Sequence, residues 1–337
     1  MHGWQGYVCA APLGDSAFRR QIITRNPEGR TVPPCGLFYF LRLFREVKVS
    51  IPAAYIGVII IWSTTPLAIQ WSGEEVGFLF GVTGRMVLGL LASLLVIAML
   101  RKEIPRHRQA LHTYLAAGAG IFLAMLSVYW SSRFIPSGWI AVIFGTAPII
   151  TGAMAMLWLG EQGLTPSRLA GIGLGLAGLV FIFSGGQSLG PDAGYGVAGV
   201  LASVIIHSAS AIAVKRIGAG LPSLAVTAGG LLVAVPLYLL VYLLFGEPFP
   251  VQIPQRAILS IIYLGLVGSV VGFALYFYVL RHVEATRVAL ITLATPVLAL
   301  ILGNRLNDET LLPPVSYTHL RAHETERLIA YAVFCLK

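Results

Sequence analysis

Arg85 lies about a third of the way along an otherwise apolar run that ends near Met99. A charge in lipid costs several kcal/mol unless it faces a cavity or a partner. Its guanidinium is suited to holding a substrate carboxylate or phosphate through two parallel hydrogen bonds. The competing role is structural, bonding backbone carbonyls or reaching toward the outer interface. His207 is the one ionisable residue near the centre of its apolar run, suited to a proton relay, to pH sensing or to neutral hydrogen bonding in a core. Trp62 offers an aromatic platform for a cavity, with Tyr129 and Tyr276, and more weakly Tyr278, as further candidates. The candidate substrate-binding set is therefore Arg85, Trp62, His207, Tyr129 and Tyr276. Pro148 and Pro296 fall within apolar runs, where a proline frees a carbonyl and kinks a helix, so both are candidate hinges. Glu161 and Glu309 follow the ends of runs and read as structural loop residues, favourable to the start of a following helix.

No catalytic residue, metal ligand set or cofactor follows from the remaining motifs. Gly173-Leu-Gly175-Leu-Ala-Gly178 has dinucleotide-loop spacing but lies in an apolar run with no preceding strand. Such small residues, like those of Gly268-Ser-Val-Val-Gly272, let another helix approach closely and could also serve a homodimer. Gly186-Gln-Ser188-Leu-Gly190 lacks the strand-to-helix turn and partners of a hydrolase. Cys9, Cys35 and Cys335 all lie near the chain ends, so the body has no disulfide framework and no thiolate site. No phosphate-binding loop with its lysine occurs, which excludes ATP as the direct energy source.

These residues need helices long enough to cross a bilayer to position them. The chain is 57% hydrophobic and 11% charged, about half the charged share of a soluble domain. Apolar runs recur at 52–70, 77–99, 111–130, 136–158, 167–184, 195–214, 223–245, 257–279 and 285–303. Each approaches the roughly 20 residues a spanning helix needs, and none alternates as a barrel strand would. The expected fold is an all-α integral membrane protein. The net charge of +9 does not indicate nucleic acid, because the excess sits in the first fifty residues and in short loops. With a cytoplasmic N-terminus, inside loops hold nine cations, including Arg101, Arg168, Lys215 and Arg281, against Arg133, Arg256 and Arg305 outside. The expected location is a bacterial inner membrane, with the lipid bilayer and a small-molecule substrate as partners.

The sequence also repeats itself. Arg133 and Arg281, Ala141 and Ala289, Pro148 and Pro296, and Glu161 and Glu309 are each 148 residues apart, and Trp62-Ser63 matches His207-Ser208 more weakly. An odd number of helices per repeat requires the second copy to be inverted, as in many transporters. The expected organisation is a first repeat over 51–184 and a second over 193–314. Residues 1–50 are an atypical extension, with Val47 or Val49 as a candidate true start. The polar run over 315–337, which carries His319 and His323 at a helical spacing, cannot span a bilayer and reads as a non-native tail standing where a tenth helix is expected.

Trp62 with Pro66, Arg85, Ala147-Pro148 followed by Gly160-Glu161, and Thr295-Pro296 followed by Glu309 together resemble the drug/metabolite transporter superfamily, specifically bacterial EamA-domain proteins. The resemblance covers roughly residues 50–312. It implies two inverted five-helix repeats around a central cavity and secondary active transport, mostly export, of amino acids or other small metabolites. No carboxylate stands deep in a run to relay protons, which leaves exchange, facilitated diffusion or a His-based relay. Rival functions are a lipid or nucleotide-sugar carrier, which would need more cavity cations, and a non-transporting membrane subunit. An enzyme on lipid-linked substrates would need paired acidic or metal-binding residues that the sequence does not offer.

Overall fold

The structure is a computed structural model that describes residues 50–161, 190–218, 220–246 and 248–296, with single positions at 170, 173 and 298. The expected run at 167–184, Glu309, the first 49 residues and the tail at 315–337 lie outside the described residues. Among the described residues every regular element is helical. They are α1 (Ile51–Gly73), α2 (Phe78–Met99), α3 (Arg108–Ser131), α4 (Ser137–Phe144), α5 (Ala147–Leu159), α6 (Ala193–Ile217), α7 (Ser223–Phe245), α8 (Gln255–Tyr263), a π-helical stretch (Leu264–Val271), α9 (Gly272–His282) and α10 (Ala285–Ala289). Among the described residues seven spans are long and apolar enough to cross a membrane, α4–α5 and α8–α9 each forming one. The protein is a multi-pass membrane protein.

Composition explains these elements. α1, α6 and α7 are apolar around their whole circumference, as lipid on one side and protein on the other require, whereas α8 is amphipathic. Leu91, Leu95, Leu157 and Leu243 are largely exposed on the outside of the bundle. Ser50 caps α1 through its hydroxyl, and Pro52 occupies the first turn, where its missing amide costs nothing. The observed ends fall within three residues of those expected from hydropathy, and the run at 285–303 does begin at Ala285.

Pro148 was expected to kink the fourth span. That span is interrupted by a turn at Gly145–Thr146, and Pro148 sits in the first turn of α5. A proline cannot donate to the carbonyl four residues earlier, here that of Phe144, so the interruption falls in the stretch a proline disturbs. Pro66 and Pro236 lie inside α1 and α7.

The packing pairs the spans reciprocally. The third span, α3, packs on α6 and α7, the first two spans of the second half. The third span of that half, α8 through α9, packs on α1 and α2 in turn. The fourth spans meet each other through α5 and α10, and α2 meets α7. Small residues permit the closest approach: a Cβ on Gly118 of α3 would stand 2.7 Å from the Gly230 carbonyl of α7.

Candidate functional site

Arg85 sits in the second turn of α2 with 2% of its surface exposed. Its Nε donates to the Ser269 hydroxyl at 3.0 Å, across to the π-helical stretch. Such a stretch widens the helix locally and is found disproportionately at functional sites. Gly268 makes the room, since a Cβ there would come within 3.3 Å of the Arg85 guanidinium. Among the described residues Nη1 of Arg85 has no hydrogen-bond partner, and no carboxylate lies within ion-pair distance of it. Nη1 is thus a buried donor left free among the described residues, the kind of group that an anion would satisfy.

Two tyrosines lie nearby. Tyr238 of α7 is within electrostatic range of both Arg85 and Tyr129. Its hydroxyl is committed to the carbonyls of Ile121 and Phe122 at 2.9 and 3.0 Å. Tyr129 is fully buried, and its hydroxyl has no partner among the described residues. Neither Ser269 nor Tyr238 stands out in the sequence, because a serine among glycines and a tyrosine in an apolar run are ordinary packing residues there.

Trp62, His207 and Tyr276 form a second cluster. Their ring centroids are 5.7 Å apart for Trp62–His207, 4.9 Å for Trp62–Tyr276 and 5.3 Å for His207–Tyr276. Three of the five candidate binding residues, taken from α1, α6 and α9, thus meet at one point. Tyr278, the weaker candidate, instead stacks on His282 near the end of α9. A cavity of about 20 Å³ adjoins the cluster, lined by His207, Tyr276, Phe273 and Met125 among others. That is room for about one water, too little for a metabolite. The cluster is packed shut.

The larger space is at one end of the bundle. A cleft of about 420 Å³ is lined by Gln70, Trp71, Glu74, Gly77, Arg133 and Arg256 among others. Arg256 lies 4.5 Å from the Trp71 ring and 3.8 Å from Glu74, while Arg133 stacks on Phe78 and Phe134 at 5.3 and 5.5 Å. Arg133 and Arg256 are both assigned to the same side of the membrane by the charge distribution.

The opposite end is tied shut. Gly160 takes a left-handed φ of 66°, which turns the chain at the end of α5 and aims Glu161 across the bundle. The Glu161 carboxylate accepts from the Ala285 amide at 3.0 Å and from the Thr286 amide and hydroxyl at 3.4 and 3.3 Å. It also pairs with Lys215 at 3.1 Å, and Lys215 donates in turn to the Val283 carbonyl. Burial pushes the Glu161 carboxyl up, but the Ala285 amide, Lys215 and the Thr286 amide outweigh it and hold the group below its ordinary range. Among the described residues the helix start that Glu161 serves is α10, 124 positions away. Pro296 is buried in the helical segment beyond α10.

The sequence pattern of the EamA-like transporter family matches residues 51–184 and again residues 194–313. The chain belongs to the EamA-like transporter family. Two family transporters match at similar levels. The uncharacterized inner membrane transporter YedA of Escherichia coli K12 is 26% identical over 77% of this chain and 83% of its own length. The uncharacterized transporter YoaV of Bacillus subtilis is 23% identical over 76% and 88%. A probable terminal-alkyne amino-acid exporter of Streptantibioticus cattleyicolor is 24% identical over 70% and 82%. A solved crystal structure shares the fold with a TM-score of 0.65 at 20% identity, over 85% of this chain and 98% of that one. The same family pattern thus matches the chain twice.

Proposed function

We propose that this EamA-like protein is a secondary active exporter of small polar metabolites, with amino acids the favoured class, working by alternating access between two inverted repeats. The observation that carries the reading is Arg85, a buried cation with a free Nη1 and no carboxylate partner among the described residues. A single cation of this kind suits a solute with one anionic group, such as the carboxylate of an amino acid. A nucleotide-sugar or lipid phosphate carrier would be expected to assemble several.

The reciprocal packing of α3 on α6–α7 and of α8–α9 on α1–α2 supports the inverted repeat, because a pseudo-twofold axis exchanges those pairs. The open cleft at one end and the Glu161–Lys215 tie at the other suit a state open on one side only. Loop charge puts the open side outside the cell and the N-terminus in the cytoplasm. The inner membrane is the natural location, as it is for YedA. Arg85 with Ser269 would hold the carboxylate, and the Trp62–His207–Tyr276 cluster would separate and re-form around the rest of the solute. Pro148 and Pro296 would mark bending points of the fourth spans. No covalent chemistry is required, and none is proposed.

The test is intracellular accumulation of labelled amino acids and other metabolites in an exporter-deficient strain that expresses the protein or Arg85→Ala. Export lowers accumulation of one compound, and Arg85→Ala restores it. Unchanged accumulation across the panel, with the protein confirmed in the membrane, overturns the reading in favour of a non-transporting subunit or a carrier of larger phosphates.

A further inference from the structure

Arg133 and Arg281 are 148 residues apart in the repeat, yet their present contacts differ. Arg281 Nη1 donates to the Leu221 carbonyl at 3.2 Å, in the α6–α7 turn at the closed end. Arg133 lines the open cleft at the other end with its guanidinium stacked on Phe78 and Phe134. Among the described residues no hydrogen bond or carboxylate holds it.

The α1–α2 turn shares two features with the α6–α7 turn at matched positions. Trp62 and His207 are 145 residues apart, and so are the starts of α2 at Phe78 and α7 at Ser223. At this spacing Glu75 matches Gly220, and both take a left-handed φ, 63° and 102°. A non-glycine residue seldom adopts that conformation without a reason in the turn. The next residues, Val76 and Leu221, are both buried, at 4% and 7% exposure. The repeat therefore places Val76 opposite Arg133 as Leu221 stands opposite Arg281.

We infer that Arg133 and Arg281 are matched gate residues, Arg281 now closing one end on the Leu221 carbonyl and Arg133 closing the other on the Val76 carbonyl when the first end opens. The inference rests on the alternating-access reading above. Each arginine positions a turn and touches no solute. The stacking on Phe78 and Phe134 holds Arg133 beside the cleft without spending its donors, so it is ready to bond when the turn approaches. Arg281 and Arg133 cannot both be closed if the halves rock as rigid bodies, and release of one carbonyl accompanies capture of the other.

Disulfide trapping in the full chain tests this, with Cys9, Cys35 and Cys335 replaced by Ser. One pair, Glu75→Cys with Ser132→Cys, reports the cleft end, and another, Pro222→Cys with His282→Cys, reports the closed end. In the parent the second pair should cross-link much faster than the first. Arg281→Ala should slow the second pair and speed the first, each by roughly tenfold or more, the usual effect of losing a charge-assisted hydrogen bond. Arg133→Ala should do the reverse, and Arg281→Lys, which keeps charge and donors, should retain parental rates and so exclude general damage. If each substitution alters only its own end, or neither end, the inference falls. Reciprocal cross-linking with no flux of any solute would keep the gate and remove the exporter reading; flux with non-reciprocal cross-linking would do the opposite.

Discussion

The Arg85 Nε lies 3.0 Å from the Ser269 hydroxyl, joining a helix of the first half to a π-helical stretch of the second across 184 positions of chain. The bond leaves Nη1 unengaged in a buried setting. A guanidinium fixed at one edge and free at the other is oriented before any solute arrives, which reduces the ordering cost of binding.

Arg85→Ala should abolish export of the carboxylate solute while leaving the protein in the membrane. Arg85→Lys should retain a residual fraction, because an ammonium keeps the charge but loses the planar fork. Ser269→Ala frees the Nε edge and should weaken apparent affinity by about tenfold, the scale of one hydrogen bond to a charged group. Initial efflux rates against solute concentration check all three. Parental kinetics in Arg85→Ala would remove Arg85 from the site.

Glu161→Gln should lower stability by about 1.5–3 kcal/mol near neutral pH, the range for hydrogen bonds to a charged partner. The Glu161 carboxyl is held below its ordinary value of 4.5 in the folded protein. Its stabilising contribution is therefore complete above that value and fades as pH falls through the lower folded value. The difference in melting temperature between parent and Glu161→Gln should be largest near pH 7 and should shrink below about pH 4.5. A difference that grows on acidification would contradict this account.

Gly118→Val should destabilise by about 1–3 kcal/mol, the cost of overpacking. The new side chain would run into the Gly230 carbonyl, 2.7 Å from the added Cβ, and into Val233. Thermal unfolding in detergent measures it. Gly194→Ala serves as the control, because a Cβ there meets nothing within 4 Å among the described residues.

Trp62→Ala should leave a void beside His207 and Tyr276, since both rings pack directly on the indole. The expected cost is about 3–5 kcal/mol if the site cannot collapse. In transport, the wider space should admit bulkier solutes at the expense of the native one. Competition of an apolar amino-acid panel against the labelled solute reads this. An unchanged selectivity order would place the cluster outside the solute path.

The membrane fold was legible because hydropathy is a local property. Lipid demands about twenty apolar residues wherever the chain crosses, so the ends of seven spans could be read within three residues. Arg85 was legible for the same reason, since a lone charge conflicts with its surroundings whatever the tertiary arrangement. The break at Gly145–Thr146 was legible only as a kink at Pro148, because a proline marks a disturbed stretch without fixing which residues leave the helix.

Sequence alone determined that this chain spans a membrane several times, matches one family pattern twice and carries an arginine within an apolar run. Those features depend on composition, periodicity and repetition along the chain. Only the tertiary structure decided what each side chain meets. Trp62, His207 and Tyr276 converge although α1, α6 and α9 are far apart in sequence. Glu161 caps a helix 124 positions away, and Ser269 takes the Nε edge of Arg85. In a bundle of uniformly apolar helices no amphipathic stripe announces which face turns inward. The choice falls to small residues such as Gly118 and Gly268 and to a few buried polar atoms, whose partners exist only once the helices have packed.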